Sequence, residues 1–226
     1  MKSEPVASAE EAIDAVETAL DAPETLSPRA ERKCAQLLDG ARAIILARGF
    51  EGAKVDDIAR QAGVSKATMY RYYPDKSAIF AAVMQRNCGQ QACAMSGVET
   101  EGRPIADVLT DIGERYAKFV LTPDAIRMFR TAVAESERFP VIGEAFYASG
   151  PDLGRVALAP ILRAAAARGE IAIDDIDLAA QRFFVLCEAE LFFKQLFGIV
   201  ARYDDAQIAD HVRGAVAAFV RMYRPD

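Results

Sequence analysis

The sequence predicts an all-α protein. Apolar residues recur at helical spacing along most of the chain, and no segment sustains the alternation that is typical of a β-strand. Glycine and proline residues separate the helical segments, as they do at helix ends. Hydrophobic residues make up 52% of the 226 residues, so the chain can bury a substantial core.

Residues 1–27 form an acidic extension that precedes the first core helix. Ser8 and Glu11 have the spacing of a capping box, and apolar residues after them share one helical face. A helix over residues 9–21 and a mobile acidic tail are both compatible with this pattern.

The first core helix is predicted from Pro28 to Arg48 and ends at Gly49, a common residue at a helix C-terminus. Phe50 is expected to fill the core below it. Ser65 is the expected N-cap of the third helix. Further helices are predicted at residues 55–62, at 66–73, and from Lys76 to beyond Cys93.

Five more helices are predicted in the remainder of the chain, where prolines mark starts or breaks. They cover residues 104–120, 123–137, 141–168, 175–197 and 205–222. We place a domain boundary after residue 76, so that residues 28–76 and 77–226 form two domains.

The composition excludes several classes of protein. No apolar run approaches the roughly 18 residues of a membrane span, and the N-terminus lacks the apolar segment of a secretory signal, so a cytoplasmic protein is predicted. The single histidine, His211, has no partners at metal-ligand spacing. Nucleophile elbow, phosphate-binding loop and paired catalytic carboxylates are also missing. We therefore expect no enzyme, no metal and no cofactor.

The four cysteines are scattered along the chain and form no CxxC pair; they are Cys34, Cys88, Cys93 and Cys187. Buried, reduced thiols are expected, because a free cysteine behaves as a small hydrophobic residue. A redox switch is the alternative, and Cys88 and Cys93 are the pair it would use.

Charge is divided unevenly along the chain, whose net charge is −6 at pH 7. Residues 28–80 hold ten Lys and Arg and six Asp and Glu, a net charge of +4, whereas the rest holds 17 basic and 27 acidic residues. A local positive balance of this kind suits a polyanionic partner. The sequence thus predicts a basic module on an acidic body.

The segment IARQAGVSKATMYRYYPDK, Ile58 to Lys76, has the pattern of a helix-turn-helix, with two short helices joined by a turn at Gly63. On a helical wheel of the second helix, Met69 and Tyr73 point inward together with Val64. Their positions leave the opposite side of this helix free to face outward.

The outward side carries Ala67, Thr68 and Arg71, and Tyr70 and Tyr72 flank it. Ala67 permits close approach to a thymine methyl group, Thr68 can hydrogen-bond to bases, and Arg71 can reach guanine. The two tyrosine hydroxyls can contact phosphates on both strands. This layout suits a helix in the major groove of double-stranded DNA.

Two lysines add positive charge beside this helix. Lys66 lies at its N-terminus, where the helix dipole favours an anion, and Lys76 begins the next helix and is expected to contact a phosphate in the same way.

The segment from Gly49 to Met84 resembles the DNA-binding domain of the TetR family of transcriptional repressors. The family's motifs are a Gly-aromatic pair, Ile-Ala, a Gly-Val-Ser turn and a Tyr-rich helix before a lysine, which are here Gly49-Phe50, Ile58-Ala59, Gly63-Val64-Ser65, Tyr70 to Tyr73 and Lys76. A longer segment, residues 134–184, more loosely resembles the regulatory domain of the AefR-like branch. The resemblance implies an N-terminal three-helix DNA-binding domain and a C-terminal helical domain for ligand binding and dimerisation.

Carried over residue by residue, the resemblance implies a base-side group and a phosphate-side group. The base-side residues are Lys66, Ala67, Thr68 and Arg71; the phosphate-side residues are Tyr70, Tyr72 and Lys76. The sequence departs from the family pattern at Lys54, which replaces the usual Ser or Thr cap, and at Tyr73, which replaces the usual Phe. Lys54 loses the cap but can itself reach a phosphate.

A two-fold dimer suits a reader of a pseudo-palindromic operator. The last two predicted helices are the candidate interface, since residues 175–197 are apolar on more than one face and residues 205–222 carry one clean apolar stripe. The resemblance implies a four-helix dimer interface. Its candidate residues are Phe192, Leu196, Ile208, Val212, Val216 and Phe219. The alternative is that the stripe serves the chain's own core.

The resemblance also implies an effector pocket in the second domain. Candidate lining residues are Phe119, Phe129, Phe146, Tyr147, Phe183 and Phe184, with Glu188 or Arg127 as a polar anchor. An apolar or aromatic small molecule is the expected ligand, and plain core is the alternative for each aromatic residue.

The expected function is that of a sequence-specific DNA-binding transcriptional regulator, a dimeric repressor that a ligand releases from its operator. The alternatives are a regulator with no small-molecule effector, controlled by redox or by a protein partner, and an activator. The sign of regulation depends on where the operator lies, which the protein sequence does not encode.

Overall fold

The structure, a computed structural model, describes residues 27–225, except for the side chains of Cys88 and residues 90–96. These residues form ten α-helices and one π-helical turn, and no β-strand occurs among them. The prediction of an all-α fold is confirmed. The helix or tail predicted over residues 9–21 lies outside the described residues.

The helices follow one another with short connections. They are α1 (Pro28–Gly52), α2 (Val55–Gln61), α3 (Lys66–Tyr72), α4 (Lys76–Ser96), α5 (Ile105–Val120), α6 (Pro123–Ser136), α7 (Pro140–Tyr147), the π-helical turn (Ala148–Asp152), α8 (Leu153–Ala167), α9 (Ile176–Leu196) and α10 (Asp205–Met222).

The chain packs as two compact units. The N-terminal unit contains residues 27–88 and 127–150, and the C-terminal unit contains residues 89–126 and 151–225. This division differs from the predicted boundary after residue 76, because the first half of α4 and the chain around α7 pack together with α1, α2 and α3.

The core of the N-terminal unit is built around Phe50. This ring is 1% exposed and makes edge-on contacts with Phe80 and Phe139, at centroid distances of 5.4 and 5.1 Å. Gly49, with φ +70°, turns the chain so that Phe50 enters the core. The expected role of Phe50 as a core residue is confirmed.

The C-terminal unit packs α5, α8, α9 and α10 around buried aromatic and aliphatic side chains. A Cβ atom at Gly113 of α5 would lie 2.8 Å from Cγ1 of Val212 and 3.1 Å from Sγ of Cys187. The absence of a side chain at Gly113 therefore allows α5 to approach α9 and α10 closely. Among the described residues, none of the helices combines the length and the apolarity that crossing a bilayer requires.

Two helix predictions differ from the structure. The single helix predicted over residues 141–168 is interrupted at Ala148–Asp152, a segment that contains Gly150 and Pro151. Helix α9 bends at Ala189, whose φ of 22° and ψ of −122° are not helical. Helix α9 contains no glycine or proline that would predict this bend.

The apolar stripe on α10, which was predicted to lie in the dimer interface, faces the core of its own unit. Its residues are all buried: Ile208, Val212, Ala215, Val216 and Phe219. Phe192 of α9 is buried as well, at 6% exposure, and Leu196 is half-buried. The buried side chains of the stripe thus belong to the core of the C-terminal unit, as the alternative given for the stripe expects.

Candidate nucleic-acid interface

The turn between α2 and α3 has the geometry that its sequence predicts. Gly63 has a φ of +65°, which favours glycine. Ser65 is the N-cap of α3, and its hydroxyl oxygen accepts from the backbone N–H of Thr68 at 3.0 Å. The N-cap prediction at Ser65 is confirmed.

Helices α1 and α2 approach closely at Gly40. A Cβ atom there would lie 2.9 Å from the backbone nitrogen of Ala62. Asp57, whose side chain is only 14% exposed, accepts from the guanidinium groups of Arg48 and Arg60. The first links α1 to α2, so close packing and a charge-assisted hydrogen bond both fix the helix that precedes the turn.

The inward side of α3 holds the helix on its unit. Met69 is fully buried, and Val64 and Tyr73 pack against the same core, as the helical wheel predicted. Burial raises the pKa of Tyr73 to about 12, with a smaller contribution from Cys34. The Tyr73 hydroxyl therefore stays protonated over the physiological range.

The outward side of α3 exposes Lys66, Ala67, Tyr70 and Arg71. The Arg71 guanidinium donates to the Tyr72 hydroxyl at 2.9 Å and lies 4.9 Å from the centre of that ring. These contacts hold Arg71 and Tyr72 as a pair at one edge of the exposed surface. Three of the four predicted base-side residues, Lys66, Ala67 and Arg71, are thus exposed on this short helix, together with Tyr70.

Thr68 is less accessible than its neighbours. It is half-buried, and its hydroxyl lies 2.8 Å from the hydroxyl of Ser65. A hydrogen bond from Thr68 to a base would use the same hydroxyl that already contacts Ser65, the N-cap of α3.

Lys66 forms an ion pair with Asp56 of α2, and both side chains are more than half exposed. The Asp56 carboxylate thus pairs with the Lys66 ammonium group, which was predicted to face DNA.

Lys76 has a different surrounding from the one predicted. Its ammonium donates to the backbone carbonyl of Phe50 at 2.7 Å and to that of Glu51 at 3.4 Å, and it lies 4.2 Å from the centre of the Phe50 ring. Lysine commonly binds the last carbonyls of a helix in this way. The structure therefore shows Lys76 holding the end of α1, and a phosphate contact stays a prediction.

Lys54 is the N-cap residue of α2 and makes no capping hydrogen bond through its side chain. It is exposed, so its ammonium can extend toward an anion at the start of α2. The family's capping hydroxyl is lost here, as the sequence analysis stated, and a phosphate contact by Lys54 remains a prediction.

The eight predicted pocket residues do not share one unit. Arg127, Phe129, Phe146 and Tyr147 lie in the N-terminal unit, whereas Phe119, Phe183, Phe184 and Glu188 lie in the C-terminal unit. The rings of Phe129 and Phe146 pack edge-on at 5.5 Å, and Tyr147 is 57% exposed.

Within the C-terminal unit, Phe183 is plain core: it is fully buried and packs edge-on against Phe219 at 5.5 Å. Glu188 differs, because it is a half-buried carboxyl group. The Tyr116 hydroxyl donates to its Oε1. Burial raises the pKa of Glu188, and the hydrogen bond from Tyr116 opposes that rise. Nothing in the sequence pattern points to Tyr116 as the partner, because it lies 72 residues away.

The described cysteines have little thiolate character. Burial raises the pKa of Cys187 to about 12, with a contribution from Glu188, and burial also raises the pKa of Cys34. The thiolate is the reactive form of cysteine. The side chains of Cys88 and Cys93, the predicted redox pair, lie outside the description, and no cluster of metal-ligating side chains occurs among the residues described.

Two family descriptions match the chain. "Bacterial regulatory proteins, tetR family" matches residues 37–83, and "AefR-like transcriptional repressor, C-terminal domain" matches residues 107–225, more than half of the chain. The chain belongs to the TetR family of transcriptional regulators. Members of this family are transcriptional regulators and not enzymes, as the sequence analysis predicted.

Curated relatives match the TetR-family chain over short segments. The transcriptional activator FasR of Mycolicibacterium smegmatis is 38% identical over 80 residues, which are 35% of either chain. The HTH-type transcriptional regulator YdeS of Bacillus subtilis is 40% identical over 52 residues, 23% of this chain and 26% of that protein. The chain thus spans about a third or less of the length of these relatives.

Solved structures match over nearly their whole length. A TetR-family regulator from Mesorhizobium loti has a TM-score of 0.81 at 24% identity, covering 88% of this chain and all of the other. The "Flavonoid-responsive Regulator FrrA" has a TM-score of 0.72 at 29% identity, covering 86% of this chain and 98% of that one. At 24% identity, the likeness to the Mesorhizobium loti structure shows the fold alone.

Proposed function

We propose that this TetR-family regulator acts as a homodimer that binds a pseudo-palindromic operator and releases it when a small ligand binds. The observation that carries the proposal is an exposed apolar surface on the C-terminal unit. A DNA reader of this kind uses two recognition helices, and a two-fold dimer supplies them.

The exposed apolar surface follows one side of α9 and the segment after it. Its residues, which we name the outer apolar face, are Leu178, Val185, Phe193, Phe197 and Ile199. Phe197 is 74% exposed and Ile199 is 71% exposed. Large apolar side chains grouped in this way mark an interaction surface.

The outward side of α10 fits the same use. Gly214, Ala217 and Ala218 are exposed there, and a Cβ atom at Gly214 would meet nothing within 4 Å. Small residues allow another helix to come close. The proposal keeps the two helices that the sequence analysis chose and changes the side that each presents to the partner.

The effector part of the proposal rests on the C-terminal unit and on one relative. The AefR-like domain match spans α5 to α10, and the name of FrrA describes it as responsive to flavonoids. An aromatic small molecule is the corresponding ligand class here. Ligand binding shifts the dimer toward a conformation whose α3 helices no longer match the operator.

A second candidate function is activation of transcription, which the name of FasR favours. The same protein–DNA contacts serve either sign of regulation. Control by redox through Cys34 or Cys187 has less support, because burial raises the pKa of both thiols.

The first test is fluorescence anisotropy of the purified protein on DNA from upstream of its own gene, against scrambled DNA, across a series of salt concentrations. We expect sequence-selective binding whose logarithmic affinity falls steeply with salt. Analytical ultracentrifugation of the free protein and of the complex measures the number of chains. We expect two chains for each operator.

Equal affinity for upstream, scrambled and genome-derived fragments would contradict sequence-specific operator binding. A monomeric free protein that binds its operator as one chain would contradict the dimer. Transcription assays with the operator upstream of or overlapping the promoter separate repression from activation.

A further inference from the structure

The predicted base-side residues of α3 differ in what their polar groups already contact. The Lys66 ammonium pairs with the Asp56 carboxylate. The hydroxyl of Thr68, a half-buried residue, lies 2.8 Å from the hydroxyl of Ser65. Ala67 is exposed but has no polar side-chain atom. Each of these three residues is therefore limited as a hydrogen-bonding partner for a base edge.

Arg71, the fourth base-side residue, keeps most of its donors. A guanidinium group carries several N–H donors in one plane. In the structure Nη2 of Arg71 donates to the Tyr72 hydroxyl at 2.9 Å, and the remaining donors of this exposed side chain stay available. Guanine presents O6 and N7 side by side in the major groove, an arrangement that a guanidinium group can bind with two donors. Arg71 is therefore the residue of α3 best suited to select a base.

Tyr72 restricts where the Arg71 guanidinium group points. Tyr72 is half-buried, and its ring centre lies 4.9 Å from the guanidinium carbon. An exposed arginine samples many rotamers, and ordering it on binding costs conformational entropy. A hydrogen bond and a ring contact from a partly packed neighbour remove part of this cost before DNA binds. Since a bidentate contact with guanine needs one orientation of the guanidinium plane, the gain is largest at that base.

Tyr70 provides a comparison within the same helix. It is 50% exposed, and its hydroxyl has no hydrogen bond among the described residues. Both tyrosines were predicted to contact phosphates, and only Tyr72 contacts Arg71 in the structure. The two phenols of α3 thus have different surroundings and suit different roles.

We propose that Tyr72 is a positioning residue that orients Arg71 toward guanine, so that each operator half-site contains a G·C pair read by Arg71. This inference deepens the proposed function and rests on its operator part. It moves Tyr72 from the phosphate-side group to base selection, which Tyr72 influences through Arg71.

The test selects bound sequences from a random library of double-stranded DNA with the full-length protein, so it requires no knowledge of the operator. Sequencing of the bound fraction gives the base preference at every position. We expect the wild-type protein to select a G·C pair at one position of each half-site. Arg71→Ala should lower the preference for that pair by about tenfold or more and leave the other positions unchanged.

Tyrosine variants separate positioning from phosphate contact. Tyr72→Phe removes the hydroxyl and keeps a ring beside the guanidinium group, so we expect the guanine preference to fall about fivefold. Tyr72→Leu removes both contacts and should lower the preference further. Tyr70→Phe is the matched control, because it removes the same group from the same helix, and it should keep the wild-type guanine preference.

A double variant checks that Tyr72 acts through Arg71. When Arg71 is already alanine, Tyr72→Phe should leave the base preference unchanged. Weaker binding of Tyr72→Phe to every DNA with its guanine preference intact would indicate a phosphate contact and overturn the inference. Selected sites without a G·C pair, or a guanine preference that survives Arg71→Ala, would also overturn it. Thermal unfolding confirms that each variant is folded.

The outcome is separable from that of the proposed function. A wild-type protein that enriches no sequence from the library refutes sequence-specific operator binding. A wild-type protein that enriches a pseudo-palindromic site without a guanine that depends on Arg71 refutes the inference alone. The wild-type selection decides between these two results without any variant.

Discussion

Helices α3 and α9 both expose side chains that the fold does not need, but the two exposed surfaces differ in character. Helix α3 presents Lys66, Tyr70 and Arg71 to solvent, whereas α9 presents Val185 and Phe193. Charged and phenolic groups are stable in water, so they can remain exposed in the absence of DNA. Large apolar groups in water favour association. The polar surface of α3 and the apolar surface of α9 therefore suit different kinds of partner.

The α3 surface could be predicted from the sequence, whereas the exposed side of α9 could not. Helix α3 has seven residues and a single buried side, marked by Met69. Helix α9 buries one apolar side, including Phe183 and Cys187, and exposes another. Where apolar residues cover two sides of a helix, periodicity does not say which side faces a partner.

The largest effect should come from placing a carboxylate either on the buried side of α10 or on the exposed side of α9. Val212→Glu puts a carboxylate into the core of the unit, where Val212 is fully buried. We expect a loss of about 3–5 kcal/mol in stability, seen as a large fall in Tm or as insoluble protein. Val185→Glu, on the outer apolar face, should fold and sediment as a monomer.

A Val185→Glu protein that remains a dimer in sedimentation would contradict the outer apolar face as the interface. A Val212→Glu protein that folds normally as a monomer would restore the interface first predicted from the α10 stripe.

The second effect compares one substitution in the two units. Gly40→Ala and Gly113→Ala each place a methyl group within 3 Å of a neighbouring atom, and we expect each to cost about 1–3 kcal/mol. Thermal unfolding measures both. Only Gly40→Ala should also weaken operator binding at temperatures where the protein is folded, because it separates α1 from α2. Equal DNA affinity in both variants would argue against that coupling.

The third effect divides the DNA-facing cations. Arg71→Ala should lose about 1–3 kcal/mol of discrimination between operator and scrambled DNA. Lys54→Ala should weaken binding to both DNAs alike and reduce the slope of log affinity against log salt by about one. Anisotropy titrations across salt measure both quantities. Equal loss of discrimination in the two variants would contradict this division.

The smallest effect is a pH dependence of stability at Glu188. Its pKa is raised in the folded protein, so the folded state binds more protons than the unfolded state between the two pKa values, and stability falls as pH rises through that window. Glu188→Gln removes this loss. At neutral pH we expect it to raise Tm by about 3 °C, as roughly 1 kcal/mol does.

At a pH below the ordinary pKa of a glutamate, the two proteins should have the same Tm, because both states of the wild type are then protonated. A Tm difference that stays constant from acidic to neutral pH would assign the effect to packing instead.

Local features of the candidate site could be predicted from the sequence. The Gly63 turn, the Ser65 cap and the burial of Met69 each follow from residues within one or two turns of helix. The position of Lys76 could not be predicted in the same way, because its carbonyl partners at Phe50 and Glu51 lie 26 and 25 residues away. The pairing of Asp56 with Lys66 likewise depends on how α2 and α3 are placed.

In the fold, the break at Ala148–Asp152 has a visible cause in Gly150 and Pro151, which the periodicity of the flanking residues concealed. The bend at Ala189 has no local cause. It coincides with long-range contacts of Glu188 and Leu186, and sequence periodicity carries no information about such contacts.

The Asp56–Lys66 ion pair has a consequence for how the protein searches the genome. We expect a phosphate at Lys66 to compete with the Asp56 carboxylate, which slightly lowers affinity for arbitrary DNA, because an exposed ion pair is worth about 0–1 kcal/mol. A regulator must choose among very many competing sites, so a weaker hold on the wrong DNA would leave more of the protein free for its operator.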